Sequence, residues 1–439
     1  MKIYYDPIYG PVELEDFILD VIQKCPELKR QKYIGLMNFK SICMLPLTSV
    51  SRLEHTIGLS YLTQIFSNAN NLLPQFEKDL IIAALYHDVN CGSFGHSVEW
   101  AIDRHTPFDH EKVTSWLSSL DIHPYFKNLP LFIEMPGLHR YDFGNSYQPD
   151  FNKIFQIIRG ANTFIINSKG IDLDNIDNVF RMAHYLGSTH DDKTIPITLV
   201  NNLRLVDGFD NFVIHKKYLD LVKIWHNYRA EVYRKFIYSQ EYMGFEFLIF
   251  QLIYEFSKLV DKEAVTNLFH FTDEYLLWQL SDKNKYPASL TRIAQKLLIH
   301  DIPYAHAIIR SDNFEKKEAL SNEEVLKSLS LEITNYLHDK KKAATVAPGE
   351  IYFHLTTDHR KTHRKVDIYV EDNDTVLKKS FGEDKSYIVM CMLSKYPLSS
   401  EIISLITDKA IEILTRENYG LFVRVPFTEQ ESLLPSRLF

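Results

Sequence analysis

The sequence predicts a mainly α protein: a large helical core followed by a small C-terminal α+β region. Three observations predict it. Apolar residues recur at helical spacing from residue 12 to about residue 340. Short apolar runs of strand length gather only after Ala347-Pro348-Gly349. The chain has 439 residues, 45% of them hydrophobic, which is enough for a sizeable buried core.

Each element follows from its pattern. Leu53, Ile57, Tyr61, Leu62, Ile65 and Phe66 form one stripe of a helix. Leu80-Ile81-Ile82-Ala83-Ala84-Leu85-Tyr86 is an apolar helical run that closes on His87-Asp88. Over 174–186, Ile176, Val179, Phe180, Ala183 and Leu186 follow the i, i+3, i+4, i+7 rule, and Gly187 stops the helix. The stretches 245–258 and 289–298 read as buried helices. Residues 313–342 are rich in Lys, Glu and Ser with a weak apolar period, so they read as an exposed helical insert ending in a basic linker. Residues 351–356, 365–370 and 387–392 read as strands, and 400–415 as a helix. The expected division is therefore a helical core over 1–312, an insert and linker over 313–349, and an α+β subdomain over 350–439.

Composition narrows the class. The net charge of −8 gives no reason to expect nucleic-acid affinity. Cys25, Cys43, Cys91 and Cys391 lie far apart, which indicates neither a disulfide framework nor a zinc ribbon and fits a reducing cytosol. Met1-Lys2-Ile3-Tyr4-Tyr5-Asp6-Pro7 lacks the basic and apolar regions of a signal peptide. No apolar run has membrane-spanning length. The expectation is a soluble, cytoplasmic protein without membrane or nucleic-acid partners.

Four residues carry the chemistry: His55, His87, Asp88 and Asp174. Two imidazoles and two carboxylates brought together on helices make a mixed nitrogen and oxygen site for a divalent metal. Such an ion polarises phosphoryl oxygens and lowers the pKa of water. His-Asp also occurs at His190-Asp191, His300-Asp301 and His338-Asp339. These read as loop, as helix C-terminus and as solvated helix end, respectively. Each residue of the set has a plainer reading: His55 as a half-buried polar residue, His87-Asp88 as a helix cap, and Asp174 as an N-cap in competition with Asp172 and Asp177. A second group lies downstream, with His96 and Glu99 three apart on one helix face, then His110-Glu111. A histidine bonded to a carboxylate can serve as general acid toward a leaving oxygen, and His110-Glu111 could relay the proton. In another reading His96 and His110 bind a second metal.

The chain resembles the HD-domain metal-dependent phosphohydrolases, in particular the deoxynucleoside triphosphate triphosphohydrolase branch (dGTPase-like and sterile-alpha-motif HD-domain enzymes). The resemblance is carried by Tyr5-Asp6-Pro7-Ile8-Tyr9-Gly10, by Ser51-Arg52-Leu53-Glu54-His55-Thr56-Ile57-Gly58, and by His87-Asp88 followed by Gly92-Ser93-Phe94-Gly95-His96. Gly170-Ile171-Asp172-Leu173-Asp174 and the stretch from Tyr228-Arg229 to Tyr233-Arg234 extend it along nearly the whole chain. It implies an HD-domain helical core in which His55, His87, Asp88 and Asp174 hold one divalent ion, whether Fe, Mn, Zn, Ni or Mg. It further implies that Arg52 and Arg229 hold phosphate oxygens, and that His96 protonates the leaving oxygen with Glu99, His110 and Glu111 in support. The implied partner is a nucleotide-like small molecule; the expected assembly is a homo-oligomer, a dimer. The leading activity is release of triphosphate from a dNTP. The alternatives are phosphomonoester or phosphodiester hydrolysis of a non-standard nucleotide, and a nucleotide sensor or scaffold with a residual metal site.

The sequence also departs from the family. Asn90-Cys91 stands where the family has glycine and a second histidine. Leu36 or Met37 replaces a glutamine that reads the sugar hydroxyl, and Asn178 replaces a sugar-stacking tyrosine. Met182 replaces a sugar-binding aspartate, and Ile237 a tyrosine. These losses put a standard dNTP substrate in doubt. In the segment matching the activator site of the mammalian-type branch, Lys24 and Lys29 replace an aspartate and a glutamine that read guanine, and Lys32 stands at an arginine position, so GTP is not expected to activate. Lys24, Arg30 and Lys32 remain as candidate phosphate contacts there.

Overall fold

The computed structural model describes residues 2–103, 147–160, 164–166, 170–188, 194–206, 211–261, 265, 268, 271–340, 350–373 and 375–427. His110, Glu111 and His190-Asp191 lie outside the described residues. The chain divides into two compact units, and the division is interleaved. The first unit holds residues 1–228, 252–295 and 366–381; the second holds 229–251, 296–365 and 382–439.

The first unit opens with a hairpin, β1 (Lys2–Asp6) against β2 (Gly10–Leu14). Asp6 closes its turn by accepting the backbone N–H of Ile8 at 2.8 Å and of Tyr9 at 3.1 Å. Three short helices follow, α1 (Asp16–Lys24), α2 (Pro26–Arg30) and α3 (Leu45–Thr48). The long helix α4 (Arg52–Ala69) then starts on a capping box, in which Ser51 Oγ accepts from Glu54 N while Glu54 reaches back to Ser51 N. Helix α5 (Pro74–Tyr86) packs along α4, and its second half, Leu80 to Tyr86, is fully enclosed. After α6 (Gly95–Asp103) come α7 (Phe151–Ile158), α8 (Leu173–Tyr185) and α9 (Thr194–Asn201). Helices α8 and α9 also pack on α4, so α4 is the helix on which the others converge. Gly187, at φ +67°, ends α8 as its position predicts.

The same unit contains a four-stranded sheet ordered β3 (Leu203–Arg204), β4 (Val213–His215), β7 (Val366–Asp372), β8 (Thr375–Phe381). The β4–β7 pair is parallel and the others antiparallel. Its long edge strand β8 is largely exposed and carries Lys378 and Lys379, which discourage pairing with another chain.

Helices α10 (Leu219–Ile237), α11 (Gln240–Ser257), α12 (Asp273–Leu280) and α13 (Ala288–Leu298) continue the chain. The second unit is built on an antiparallel sheet ordered β10 (Val423–Val425), β5 (Tyr304–Ser311), β9 (Ser386–Ser394), β6 (Ile351–His359). Because strand side chains alternate, β6 sends Ile351, Phe353 and Leu355 into one apolar core and buries His354, Thr356 and Asp358 on the other side. Helices α14 (Lys317–Ser321), α15 (Glu323–Asp339) and α16 (Ser400–Arg416) pack into that core.

The mainly α class stands, with small sheets in both units. Three details differ from the sequence expectation. The segment 313–342 is not an exposed insert: Leu326, Leu329, Ile333 and Leu337 repeat along one face of α15 and enter the second unit's core. Its charged residues occupy the opposite face, which is what weakened the apparent period. Strands also occur well before residue 350, at β1 to β5. The division at 312 and 349 accordingly does not coincide with the two units, since β7 and β8 belong with the helical first unit and β5 with the second.

Candidate metal and active site

Helices α4, α5 and α8 bring the predicted set together. His55 lies on the first turn of α4, His87 caps the end of α5, and Asp174 lies on the first turn of α8. Asp174 Oδ1 stands 2.9 Å from His55 Nε2 and 3.3 Å from His87 Nε2. Ligand atoms of His55, His87 and Asp88 lie within 4.8 Å of one another. His55 and His87 are 1% and 4% exposed, while the Asp88 and Asp174 side chains are 13% and 20% exposed, so the set is open on its carboxylate side.

Geometry separates the three aspartates. Asp172 is the N-cap of α8 and accepts from Asn175 N at 2.6 Å. Asp177 binds the far side of His55, Nδ1 to Oδ2 at 2.7 Å. Only Asp174 faces both Nε2 atoms. His87 in turn bonds its Nδ1 to Ala84 O at 2.8 Å. Both imidazoles thus have Nδ1 held from behind and Nε2 turned toward the carboxylates, the arrangement of metal-bound histidines. The Nε2 of His87 is buried and forms no hydrogen bond, although Asp174 Oδ1 stands 3.3 Å away. A buried polar nitrogen left in this way is costly unless something coordinates it. Two nitrogen and two oxygen donors fit a divalent cation, and His55, His87, Asp88 and Asp174 could hold one.

The electrostatics agree with a strongly charged centre. Burial alone would lower the His55 pKa, but hydrogen bonds to Asp174 and Asp177 and their charges raise it to about 9. Burial would raise the Asp174 pKa, yet the hydrogen bond from His55 and the charges of both imidazoles hold its carboxyl well below the usual range. Asp177 is lowered to about 2: burial opposes this, and Arg181 and His55 outweigh it.

A supporting network lies behind His55. Arg181 donates from Nε and Nη2 to Asp177 at 2.9 and 3.0 Å and from Nη2 to Asp6 at 3.0 Å; Tyr9 donates its hydroxyl to Asp177 at 2.7 Å. Arg181, Asp177, Asp6 and Tyr9 are all buried. Of these only Asp177 is a candidate in the sequence, as a rival to Asp174; Arg181, Asp6 and Tyr9 are not. The available signal was Arg181, a charged residue four positions after Asp177 in an otherwise apolar helix stripe. Gly58 makes room for this network: a methyl group there would stand 2.0 Å from Arg181 Nη2 and 2.4 Å from Asp177 Oδ1.

The remaining predicted residues within the described chain are held as follows. Arg52 is 4% exposed, and its Nη1 forms an ion pair with Asp88 Oδ2. His96 pairs with Glu99, Nδ1 to Oε2 at 2.8 Å, and stacks on Trp100 with centroids 5.8 Å apart. The turn before it is fixed by Phe94 N donating to Asp273 at 2.7 Å, and by Gly95, where a methyl group would stand 2.5 Å from Arg52 Nη2. Arg229 belongs to the second unit, where it donates to the carbonyls of Arg360 (3.3 Å) and Lys361 and lies over the Tyr233 ring at 4.6 Å. Arg30 departs from its expected role as a phosphate contact. It is buried and donates to the carbonyls of Val89 (3.1 Å), Cys91 (2.7 Å) and Phe271 (3.3 Å), so it braces the loop after Asp88.

The chain is similar to deoxynucleoside triphosphate triphosphohydrolases. It is 29% identical over 208 residues to the deoxynucleoside triphosphate triphosphohydrolase SAMHD1 homolog of Dictyostelium discoideum, covering 42% of this chain and 37% of that relative. It is 34% identical over 103 residues to SAMHD1 of Xenopus laevis (22% and 16%), and 24% identical over 219 residues to SAMHD1 of Bos taurus (43% and 36%). The matches therefore span between 16% and 37% of these triphosphohydrolases. No protein-family profile matches the chain. Among solved structures, the fold is shared with a hypothetical protein of Aquifex aeolicus at a TM-score of 0.60 and 15% identity, covering 92% of this chain and 99% of that one. It is shared equally with a phosphohydrolase of Bacteroides thetaiotaomicron at 0.59 and 16%, covering 90% and 100%. No described helix is long and apolar enough to cross a membrane.

Proposed function

We propose that this chain is a metal-dependent phosphohydrolase of the HD type acting on a nucleotide or nucleotide-like phosphate ester, with triphosphate release from a dNTP as the leading activity. The observation that carries the reading is the buried, unbonded Nε2 of His87 facing the same space as His55 Nε2 and two carboxylates. One divalent cation held by His55, His87, Asp88 and Asp174 supplies Lewis-acid polarisation of a phosphoryl oxygen and activates water. Arg52, ion-paired to Asp88, holds positive charge where the phosphate charge grows, and Arg229 is proposed as a second phosphate contact. His96 keeps its Nδ1 on Glu99, which stabilises the imidazolium and leaves Nε2 to deliver a proton to the leaving oxygen. His110 and Glu111 are proposed to support that transfer. A paired acid of this kind is unneeded in a scaffold or sensor, and so favours an enzyme. The working protein is proposed to be a cytoplasmic homo-oligomer, a dimer.

A second reading concerns the substrate. Leu36, Met37, Met182 and Ile237 are packed away, with exposures of 6% or less, and Asn178 Oδ1 is buried without a hydrogen bond four residues from Asp174. Apolar side chains here favour a non-standard nucleotide cleaved as a monoester or diester. A substrate panel with mass-spectrometric product detection separates the readings: tripolyphosphate supports the first, orthophosphate or a linear nucleotide the second. Elemental analysis beside Asp88→Ala tests the metal site. Equal metal in the two proteins would sink the four-residue assignment.

A further inference from the structure

The second unit gathers cations around one tyrosine. Strands β5 and β9 pair so that Arg310 lies opposite Val389. That register sets the Arg310 guanidinium over the ring of Tyr387, 4.2 Å from its centroid. His363, in the segment after β6, meets the same ring edge-on, with centroids 5.3 Å apart and planes at 69°. Arg234 on α10 and Lys385 before β9 direct their charges at the same imidazole. Burial lowers the His363 pKa; Asp358 opposes the fall, and Arg310, Arg234 and Lys385 add to it.

Most of the nearby acids are already engaged, Asp312 near Lys385 being the exception. Asp358 accepts from the backbone N–H of Lys361 and of Thr362, each at 3.0 Å, from the Thr362 hydroxyl, and from the Tyr238 hydroxyl at 3.3 Å. Lys385 is paired with Glu383, and Arg360 with Asp384 at 2.6 Å. Among the described residues, neither Arg234 nor Arg310 forms an ion pair with any carboxylate; Arg310 interacts with the Tyr387 ring and the Tyr238 hydroxyl. Like charges brought together without counter-charge repel, and that repulsion is relieved when an anion joins them.

We propose that Arg234, Arg310 and His363, with Lys385 at the rim, form a binding site for a phosphate-bearing anion. Two guanidiniums match the two or more charges of a phosphate monoester or polyphosphate better than the single charge of a carboxylate, and His363 adds a polar ring nitrogen. Guanidinium forks also fit its oxygen geometry. None of these residues belongs to the His/Asp set, so the proposal stands or falls independently of the hydrolase reading.

The test is calorimetric titration of inorganic tripolyphosphate into the full chain with a chelator present, which suppresses metal-assisted binding at the His/Asp set. Sodium acetate serves as the carboxylate control. The expected result is saturable binding of tripolyphosphate and none of acetate, with affinity reduced about tenfold or more in Arg234→Gln and in Arg310→Gln. Arg310 also packs on Tyr387, so its variant could lose fold. Arg234 is exposed, and its variant keeps the test decisive. No binding by the unmodified chain at millimolar tripolyphosphate, or equal affinity in a folded Arg234→Gln, would overturn the proposal.

Discussion

In the second unit, His354 is 2% exposed, and its Nε2 lies 2.8 Å from Glu246 Oε2. The other Glu246 oxygen accepts the Tyr242 hydroxyl at 2.5 Å. In the first unit, His87 is enclosed to a similar degree at 4%, yet its Nε2 has no hydrogen bond although two carboxylates stand near. Both units bury imidazoles beside carboxylates. In one, each oxygen of the carboxylate has its donor and the network closes; in the other, His87 Nε2 is left without a hydrogen bond beside two carboxylates. Burial and residue type are shared, so neither identifies a functional centre. What sets the first-unit cluster apart is that two imidazoles and two carboxylates converge there.

Breaking the comparison outright is the largest effect expected. His87→Ala should lower turnover by roughly 10⁴ or more, as loss of a central member of a catalytic set does. In chelated protein it should shift the melting temperature less than Glu246→Ala does. Glu246→Ala should do the reverse, keeping metal content while destabilising the fold by about 3–5 kcal/mol, the cost of stripping one member from a buried pair. Thermal melts and turnover measured on both variants check this. A Glu246→Ala protein as stable as the parent would remove the distinction. The sign with pH is also set: the Glu246 pKa is lowered, burial opposing and the bond to His354 prevailing. Its contribution is present above the unfolded carboxyl pKa and is lost as pH falls through the folded value.

The next effect concerns proton delivery. His96→Ala should retain metal but lose about 10² to 10⁴ in turnover, the range for a positioned acid. Loss of metal in this variant would instead favour a second ion bound by His96 and His110.

Smaller still is the effect of the network behind His55. Asp177→Asn removes the charge that orients and polarises His55 and should weaken metal affinity about 10- to 100-fold. In the metal-free chain His55, raised to about 9, contributes stability that is full below its unfolded pKa and lost as pH rises through about 9. Asp177, lowered to about 2, contributes stability present above its unfolded pKa and lost as pH falls toward about 2. Urea melts of chelated protein across pH check both signs, and Asp177→Asn should flatten the two limbs.

The same contrast explains what could be read from the sequence. His55, His87, Asp88 and Asp174 were legible because each interrupts or ends an apolar helix stripe. Which aspartate does what was not, because Asp172, Asp174 and Asp177 all sit near one helix start. Their roles depend on which face of α8 meets α4. Arg181 and Asp6 are 175 residues apart, and no local pattern joins them. Strand β5 was hidden by the helices before it, and α15 by a charged outer face that diluted its core stripe. Arg30 looked like a surface cation among lysines, but its guanidinium faces inward to three carbonyls.

The smallest expected effect is none at all. In the mammalian-type branch a nucleotide activates a tetramer through a segment matching residues 23–32, where an aspartate and a glutamine read guanine. Here Lys24, Lys29 and Lys32 are exposed, and an ammonium has three donors and no acceptor. It cannot accept the guanine N–H groups that a carboxylate would accept. The one arginine of the segment is committed to the carbonyls of Val89, Cys91 and Phe271, which leaves no guanidinium fork for the phosphates. GTP should therefore change neither mass nor rate, and the proposed dimer should form without nucleotide. Light scattering with and without GTP, paired with a rate assay on the substrate the panel reveals, decides the matter. A GTP-dependent rise in both would mean that an activator site exists which these lysines do not exclude.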